Sequence, residues 1–211
     1  MGSDILYRLV RGVLFLFCKV FFKIRIEGAQ NLPLQGGVIL AANHTSYLDI
    51  PCTAVALSRR VYFVARQELF RSLPLTVVMN LFQTIPITRG ETDISSIKSS
   101  LEHLKKGDVI CLFPEGTRSL DGRISKPAGA GIGFLAVKSG VPVVPLYIRG
   151  TYQALPKGSH WIHPYPVRIS FGEPIYPQKA TREHLGKEQY HQVTALVMQS
   201  LQVLQEKLWR T

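Results

Sequence analysis

Short apolar runs alternate with longer amphipathic segments along most of this 211-residue chain. The runs are rich in β-branched or aromatic residues and end at turn-forming residues, which is typical of strands; they cover residues 38–42, 61–65, 109–113, 143–148 and 167–171. Apolar residues at helical spacing predict helices at 47–57, 73–82, 94–104 and 189–208. This alternation predicts an α/β fold, a mixed, largely parallel sheet flanked by helices.

Pro142 comes directly before the run at residues 143–148, and Pro145 lies inside it. Proline has no N–H group to donate to a neighbouring strand, so it disrupts a central strand. We therefore expect residues 143–148 to form a strand at an edge of the sheet or at a bulge.

The N-terminal segment is strongly apolar from Ile5 to Phe22, and its charges are all basic. On a helix these charges fall along one stripe, formed by Arg8, Arg11, Lys19 and Lys23. The longest uncharged piece, residues 12–18, is far shorter than the ~20 residues that cross a bilayer. The pattern predicts that residues 1–26 form a helix in the membrane interface, followed by one domain at 27–211. A helix packed on that domain's own core is the alternative.

Composition narrows the choice of partner. Apolar residues make up 46% of the chain and charged residues 18%, and the net charge of +11 favours anionic partners. Basic runs interleaved with aromatic residues, helix-turn-helix patterns and zinc-finger spacings do not occur, so we predict anionic lipid and no nucleic acid. The three widely spaced cysteines lack zinc-site spacing and suit a reducing cytosol.

Residues 43–49 (Asn-His-Thr-Ser-Tyr-Leu-Asp) follow the first predicted strand and carry a candidate base. His44 can accept and return a proton near neutral pH, and the Asp49 carboxylate can fix its tautomer. Residues five apart lie about 140° around a helix, so the two can meet only if His44 lies at or before the helix cap. A surface histidine near a helix cap is the alternative.

A second motif, residues 113–119 (Phe-Pro-Glu-Gly-Thr-Arg-Ser), follows the third predicted strand. Gly116 permits a tight turn, and Arg118 can hold a phosphate through two parallel hydrogen bonds. The alternative is a turn in which Arg118 pairs with Glu115. Ligands bind at the carboxyl ends of strands in open α/β sheets, so we expect both motifs at one site.

With these two motifs in place, the chain resembles the glycerolipid acyltransferases of the 1-acylglycerol-3-phosphate acyltransferase type. Four blocks of that family occur in order, at residues 44–49, 82–89, 113–119 and 141–145. The third block is highly specific and the first moderately so, and the resemblance extends from about residue 28 to residue 172. It implies the fold of the glycerol-phosphate acyltransferases.

The resemblance also implies a reaction. His44, oriented by Asp49, would be the general base on the sn-2 hydroxyl of lysophosphatidic acid, and the product would be phosphatidic acid for phospholipid biosynthesis. Arg89 and Arg118 would bind the acceptor phosphate, while Glu115, Gly116 and Thr117 would shape the acceptor site. Lys126 and Arg66 are further phosphate-binding candidates, because relatives carry basic residues nearby.

The same resemblance implies no metal and no cofactor, with an acyl thioester of acyl carrier protein or coenzyme A as co-substrate. It implies a monotopic enzyme on the cytoplasmic face of a bacterial inner membrane. Two alternatives stay open: an acyltransferase of this fold acting on glycerol 3-phosphate or another lysophospholipid, and a catalytically silent module that binds anionic lipid. A Gly-x-Ser-x-Gly elbow of serine hydrolases does not occur.

Overall fold

The computed structural model describes residues 2–66, 84–87, 94–178 and 186–210. The helices in these ranges are α1 (Gly2–Phe21), α2 (Asp49–Ala56), α3 (Ile94–Lys105), α4 (Gly131–Ser139), α5 (Thr151–Ala154) and α6 (Lys187–Trp209). The strands are β1 (Arg25–Glu27), β2 (Val38–Ala42), β3 (Val61–Arg66), β4 (Ile85–Ile87), β5 (Val109–Leu112), β6 (Val143–Arg149) and β7 (Arg168–Phe171).

The described strands form one seven-stranded sheet in the order β1-β7-β6-β2-β5-β3-β4. Every neighbouring pair is parallel except β6 and β7, which are antiparallel. The predicted mixed, largely parallel α/β fold is therefore confirmed. The helix predicted at residues 73–82 lies outside the described residues.

Both faces of the sheet are covered, which explains why its central strands are apolar without alternation. All five residues of β2 are buried. Val38, Leu40 and Ala42 pack into the core shared with α1 and α2. Ile39 and Ala41 point the other way, into the core shared with α4 and α6. The odd and even positions of one strand thus serve two separate cores.

Strand β6 corrects one sequence prediction. It lies inside the sheet, between β2 and β7, and is not an edge strand. Pro145 is tolerated there because the segment opposite it bulges. Leu146 pairs with Phe171 and Val143 pairs with Ile175, so the two residues 144–145 lie opposite the three residues 172–174. The carbonyl of Pro145 still accepts a hydrogen bond from the Gly172 N–H. The bulge was predicted correctly and the edge position was wrong.

Helix α1 has two apolar faces. Tyr7 and Cys18 are buried on the face that packs against the domain, as is Phe22 just after the helix, and the Arg11 guanidinium donates to the Leu57 carbonyl at the end of α2. The alternative of packing on the core is therefore confirmed for this face, and Arg11 does not belong to an exposed basic stripe as predicted.

The opposite face of α1 exposes a second apolar stripe. Its four residues repeat at intervals of four, three and four, which aligns them along the helix; they are Leu9, Val13, Leu16 and Val20. We call this set the α1 stripe. Within the described ranges, no helix combines the length and the apolar character that a membrane crossing requires.

Candidate active site

The two motifs meet at the carboxyl edge of the sheet because their strands are neighbours. Strands β2 and β5 run parallel with Ala41 opposite Leu112, so the residues that follow each strand start side by side. The Ser119 N–H donates to the His44 carbonyl over 2.8 Å. The His44 N–H donates to Oε1 of Glu115, also over 2.8 Å. Both backbone groups of His44 are thus held by the second motif.

Asp49 fixes both the imidazole of His44 and the backbone of the loop between β2 and α2. Its Oδ2 lies 2.9 Å from Nδ1 of His44 and accepts hydrogen bonds from the backbone N–H groups of Thr45 (2.7 Å) and Ser46 (2.8 Å). The contact is possible because α2 begins at Asp49, so His44 precedes the helix cap as the spacing required. Asp49 is fully buried, so the ring is oriented by a carboxylate that solvent does not reach.

The ring of His44 is also held from its face. Phe113 stacks on it at 4.0 Å between centroids, with 20° between the planes. The His44 side chain keeps 15% of its surface exposed. Oδ2 of Asp49 acts as an acceptor toward two backbone N–H groups, which favours the tautomer with the hydrogen on Nδ1 and leaves Nε2 to accept a proton from a bound molecule.

Glu115 turns its carboxylate inward. Oε1 accepts from the His44 N–H, and Oε2 accepts from Ser125 through its backbone N–H (2.8 Å) and its hydroxyl (2.7 Å). Glu115 is buried. Glu115, which was predicted to shape the acceptor site, therefore links the backbone of His44 to the loop that carries Lys126. The alternative, an ion pair between Glu115 and Arg118, is not found between these two described residues.

Arg118 lies beside the first motif. Its guanidinium carbon is 3.6 Å from the centre of the Tyr47 ring, a cation–π contact. Tyr47 is exposed and Arg118 half-buried. A guanidinium that packs on a ring through its face keeps its in-plane N–H groups available to an anion.

The other predicted phosphate-binding and acceptor residues divide into three groups. Gly116, Thr117 and Lys126 are exposed near the site. Gly116 has φ +66°, and a Cβ there would come within 2.8 Å of the Ala128 Cβ, so this turn requires glycine. Arg66 ends β3 on the same edge of the sheet. Arg89 lies outside the described residues.

An apolar cavity of about 490 Å³ opens next to the histidine. Phe113, which stacks on His44, is part of its wall, as are Pro114 and Gly116 from the same motif. Its other walls come mainly from α3 and from the start of α4, including Ile97, Ile132 and Phe134. The volume is in the usual range for small-molecule sites, and the lining suits a hydrocarbon chain.

Several nearby protein groups that could act as nucleophiles are engaged or buried. The Thr45 hydroxyl contacts that of Thr151 at 3.1 Å, and the Ser46 hydroxyl donates to the Leu155 carbonyl. All three cysteines are free and buried. Burial, and then the charge of Asp49, raise the pKa of the Cys111 thiol, so it stays protonated. The arrangement favours attack by a bound hydroxyl over a covalent enzyme intermediate.

Sequence reasoning missed two residues that build the site. Asn43 accepts from the Ile148 N–H (2.7 Å) and donates to the Ile148 carbonyl (3.0 Å), which joins β2 to β6 beneath the loop. The other is Ser125, whose hydrogen bonds to Glu115 depend on a tertiary contact across ten residues. Asn43 could have been noticed as a polar residue that ends an apolar run; Ser125 gives no such signal.

Comparisons with known proteins agree with this geometry. The acyltransferase family model matches residues 23–149, more than half of the chain. A chloroplast 1-acyl-sn-glycerol-3-phosphate acyltransferase of Brassica napus is 35% identical over 164 residues, 76% of this chain and 47% of that protein. The chain thus spans about half the length of this relative.

Two bacterial proteins match over nearly the whole chain. The 1-acyl-sn-glycerol-3-phosphate acyltransferase of Bacillus subtilis is 25% identical over 96% of this chain and 98% of its own length. The crystal structure of PlsC, the 1-acyl-sn-glycerophosphate acyltransferase of Thermotoga maritima, matches with a TM-score of 0.68 at 28% identity, covering 94% of this chain and 82% of that one. The chain belongs to the acyltransferase family.

Proposed function

We propose that this protein transfers an acyl group from an acyl thioester to the sn-2 hydroxyl of 1-acylglycerol 3-phosphate. The observation that carries the proposal is the Nδ1–Oδ2 contact of 2.9 Å between His44 and Asp49, beside the apolar cavity and Arg118. The names of the relatives support the choice of acceptor.

In the first step Nε2 of His44 removes the proton from the acceptor hydroxyl as its oxygen attacks the thioester carbonyl. Asp49 stabilises the imidazolium that forms, through the same hydrogen bond that fixed the tautomer. The carbon–sulfur bond then breaks, and the imidazolium returns the proton to the leaving thiolate. General-base assistance of this kind contributes about two to four orders of magnitude in rate.

The two substrates approach the histidine from different sides in this proposal. An acyl chain enters the apolar cavity, part of whose wall is Phe113, and its carbonyl then lies near Nε2 of His44. The acceptor phosphate binds Arg118, assisted by the exposed Lys126. Arg89 and Arg66 are proposed as further cations at this phosphate. A thioester is already activated, so the chemistry requires no metal and no prosthetic group.

We also propose that the enzyme works on the surface of an anionic membrane. The α1 stripe supports this, because an apolar stripe left in water is unusual for a helix whose other face packs on a core. Basic residues flank it, with Lys19 and Lys23 both exposed. The free thiols fit a reducing compartment, in keeping with the cytoplasmic face of a bacterial inner membrane.

An acceptor and donor panel tests this function. Purified protein in lipid is given radiolabelled acyl thioesters of coenzyme A or acyl carrier protein, with lysophosphatidic acid, glycerol 3-phosphate or lysophosphatidylcholine as acceptor. We expect labelled phosphatidic acid as the main product. A preference for glycerol 3-phosphate would reassign the acceptor. Lipid binding without product from any pair would favour the silent lipid-binding module.

A further inference from the structure

We propose that the loop at residues 156–166 is a second membrane-docking element, which inserts Trp161 and Ile162 into the lipid interface beside α1. We call this segment the Trp161 loop. The inference rests on the membrane association proposed above and adds to it a point of insertion at the catalytic edge of the sheet.

The topology brings α1 and the Trp161 loop to the same edge. Helix α1 runs antiparallel to α2, since Arg11 contacts Leu57 at the far end of α2 while Cys18 contacts Cys52 near its start. The last turn of α1 therefore lies where α2 begins, beside the loop that carries His44. The Trp161 loop ends there too, because the Val167 N–H donates to the Phe22 carbonyl over 2.9 Å.

The other end of the Trp161 loop is attached to the loop that carries His44. The residue just before it, Leu155, accepts a hydrogen bond of 2.8 Å from the Ser46 hydroxyl and packs against the core shared with α1 and α2. The His163 N–H donates to the Ala154 carbonyl, also over 2.8 Å. Insertion of this loop would thus hold His44 at a fixed height above the lipid.

The chemistry of the tip matches a bilayer interface. Trp161 is 78% exposed and Ile162 46% exposed, and Tyr165 further along the loop is exposed as well. Tryptophan and tyrosine concentrate at membrane–water interfaces, where the ring is buried among lipids and the polar group stays wet. The backbone at the tip is fixed by local hydrogen bonds, because the Trp161 N–H donates to the Ser159 hydroxyl in the turn that starts at Pro156.

The charges of α1 and of the segment that contains the Trp161 loop favour a bilayer of anionic lipid as the partner. No Asp or Glu occurs between Asp121 and Glu173, and the same stretch carries Arg123, Lys126, Lys138, Arg149, Lys157 and Arg168. The segment from Ile5 to Ile26 also has no acid. Lys157 is exposed within the loop, where each basic residue near a surface of anionic lipid adds to the attraction. The two segments that would contact the bilayer thus carry apolar side chains and basic residues without an acid, which makes them complementary to anionic headgroups over acyl chains.

Fluorescence tests the insertion directly, because the chain has only two tryptophans, Trp161 and Trp209. In Trp209→Phe the emission comes from Trp161 alone. We expect it to shift to the blue and to be quenched by brominated lipids when vesicles of phosphatidylglycerol and phosphatidylcholine are added. Trp161→Phe, which leaves Trp209, serves as the control and should show neither change.

Binding and turnover give a second reading. We expect Trp161→Ala to weaken partitioning onto the same vesicles on the order of tenfold, as expected for withdrawing a large aromatic ring from lipid. Its turnover of vesicle-embedded lysophosphatidic acid should fall in parallel, while a water-soluble short-chain acceptor is used at the wild-type rate. The matched control is Tyr176→Ala, an exposed aromatic residue next to Ile175 at the opposite edge of the sheet, which should leave both readings unchanged.

Three results would overturn the inference. One is vesicle binding with an unaltered Trp161 spectrum, which would mean that α1 docks alone. Another is a blue shift caused by an acidic carrier protein in the absence of lipid, which would assign the loop to a protein partner. The third is a spectrum already shifted without vesicles and dependent on protein concentration, which would assign it to a second copy. Failure of the proposed acyl transfer is distinct, since it appears as absence of product from both acceptors while the fluorescence reading remains.

Discussion

Nδ1 of His103 lies 2.8 Å from Oδ2 of Asp108, which repeats the contact and the five-residue spacing of His44 and Asp49. The second pair joins the end of α3 to the start of β5, at the amino edge of the sheet, and its ring lies against Tyr62 instead of a phenylalanine from the motif. The same two side chains in the same geometry therefore occur once beside the candidate site and once away from it.

This repetition provides an internal control for the general base. We expect His44→Ala to lower kcat by about two to four orders of magnitude, because the proton acceptor is lost. His103→Ala removes an equivalent ring and should change kcat less than about twofold. Steady-state acylation of lysophosphatidic acid measures both. Equal losses in the two variants, or full activity in His44→Ala, would contradict the assignment.

Asp49→Asn keeps the shape of the side chain but removes its negative charge, so it tests whether the carboxylate orients His44. The amide can replace only part of the set of three hydrogen bonds that Oδ2 accepts, and it can donate to Nδ1, which would trap the tautomer unable to take a proton. We expect kcat to fall by about 10²–10⁴, with a lower melting temperature because a buried network is disturbed. A variant with unchanged turnover at a lower melting temperature would reduce Asp49 to a purely structural role.

Tyr47 and Arg118 allow the phosphate contact to be tested in two steps. Losing charge-assisted hydrogen bonds in Arg118→Ala should raise KM for the acceptor about 10- to 100-fold and leave KM for the donor unaltered. Tyr47→Ala, which frees the guanidinium from its ring contact, should raise the same KM about two- to fivefold. Tyr47→Phe keeps the ring and serves as the control. A larger effect on the donor in any of these would remove Arg118 from the acceptor site.

The α1 stripe can be altered without disturbing the packed face of that helix. We expect the double variant Leu9→Gln, Leu16→Gln to partition onto anionic vesicles at least about tenfold less than wild type, because each leucine contributes about 1.5–3 kcal/mol when fully buried. Val203→Gln changes an equally exposed position on α6, across the sheet, and should have no effect. Co-sedimentation measures the partitioning, and equal binding of all three proteins would argue against the stripe.

Much of the sheet could be predicted from the chain because its signals are local. Strand β2 occupies residues 38–42 as predicted, and β5 ends one residue before the predicted boundary. The His44–Asp49 contact was also predictable, since an apolar run followed by a helix fixes where each residue must lie. The motif at residues 43–49 carries its own strand, turn and helix signals, so its local structure can be predicted without knowledge of distant partners.

Other features depend on partners far along the chain. Strand β1 has three residues and exists because β7, more than 140 residues later, pairs with it. Tyr47 carries no signal of its contact with Arg118, and Glu115 would be read as a substrate-facing acid by any account that ignores Ser125. The edge position predicted for β6 was wrong because the bulge that accommodates Pro145 lies in the opposing segment, residues 172–174.

Helix α4 (Gly131–Ser139) was also missed, and its glycines explain why. A glycine-rich start weakens a helix, yet Gly133 allows α4 to approach α6 closely: a Cβ there would lie 1.9 Å from the Tyr190 carbonyl oxygen. At Gly131, on the same helix, a Cβ would meet nothing within 4 Å. One glycine is therefore needed for packing and the other is not.

The two glycines give opposite predictions for stability. Gly133→Ala should destabilise the protein by about 1–3 kcal/mol, because backbone must move to admit the methyl group, and should lower the melting temperature by roughly 3–10 °C. Gly131→Ala should leave it unchanged or raise it slightly, since alanine is the better helix former. Thermal unfolding followed by circular dichroism measures both. If the two variants melted together, the close contact between α4 and α6 would not be the reason for glycine at position 133.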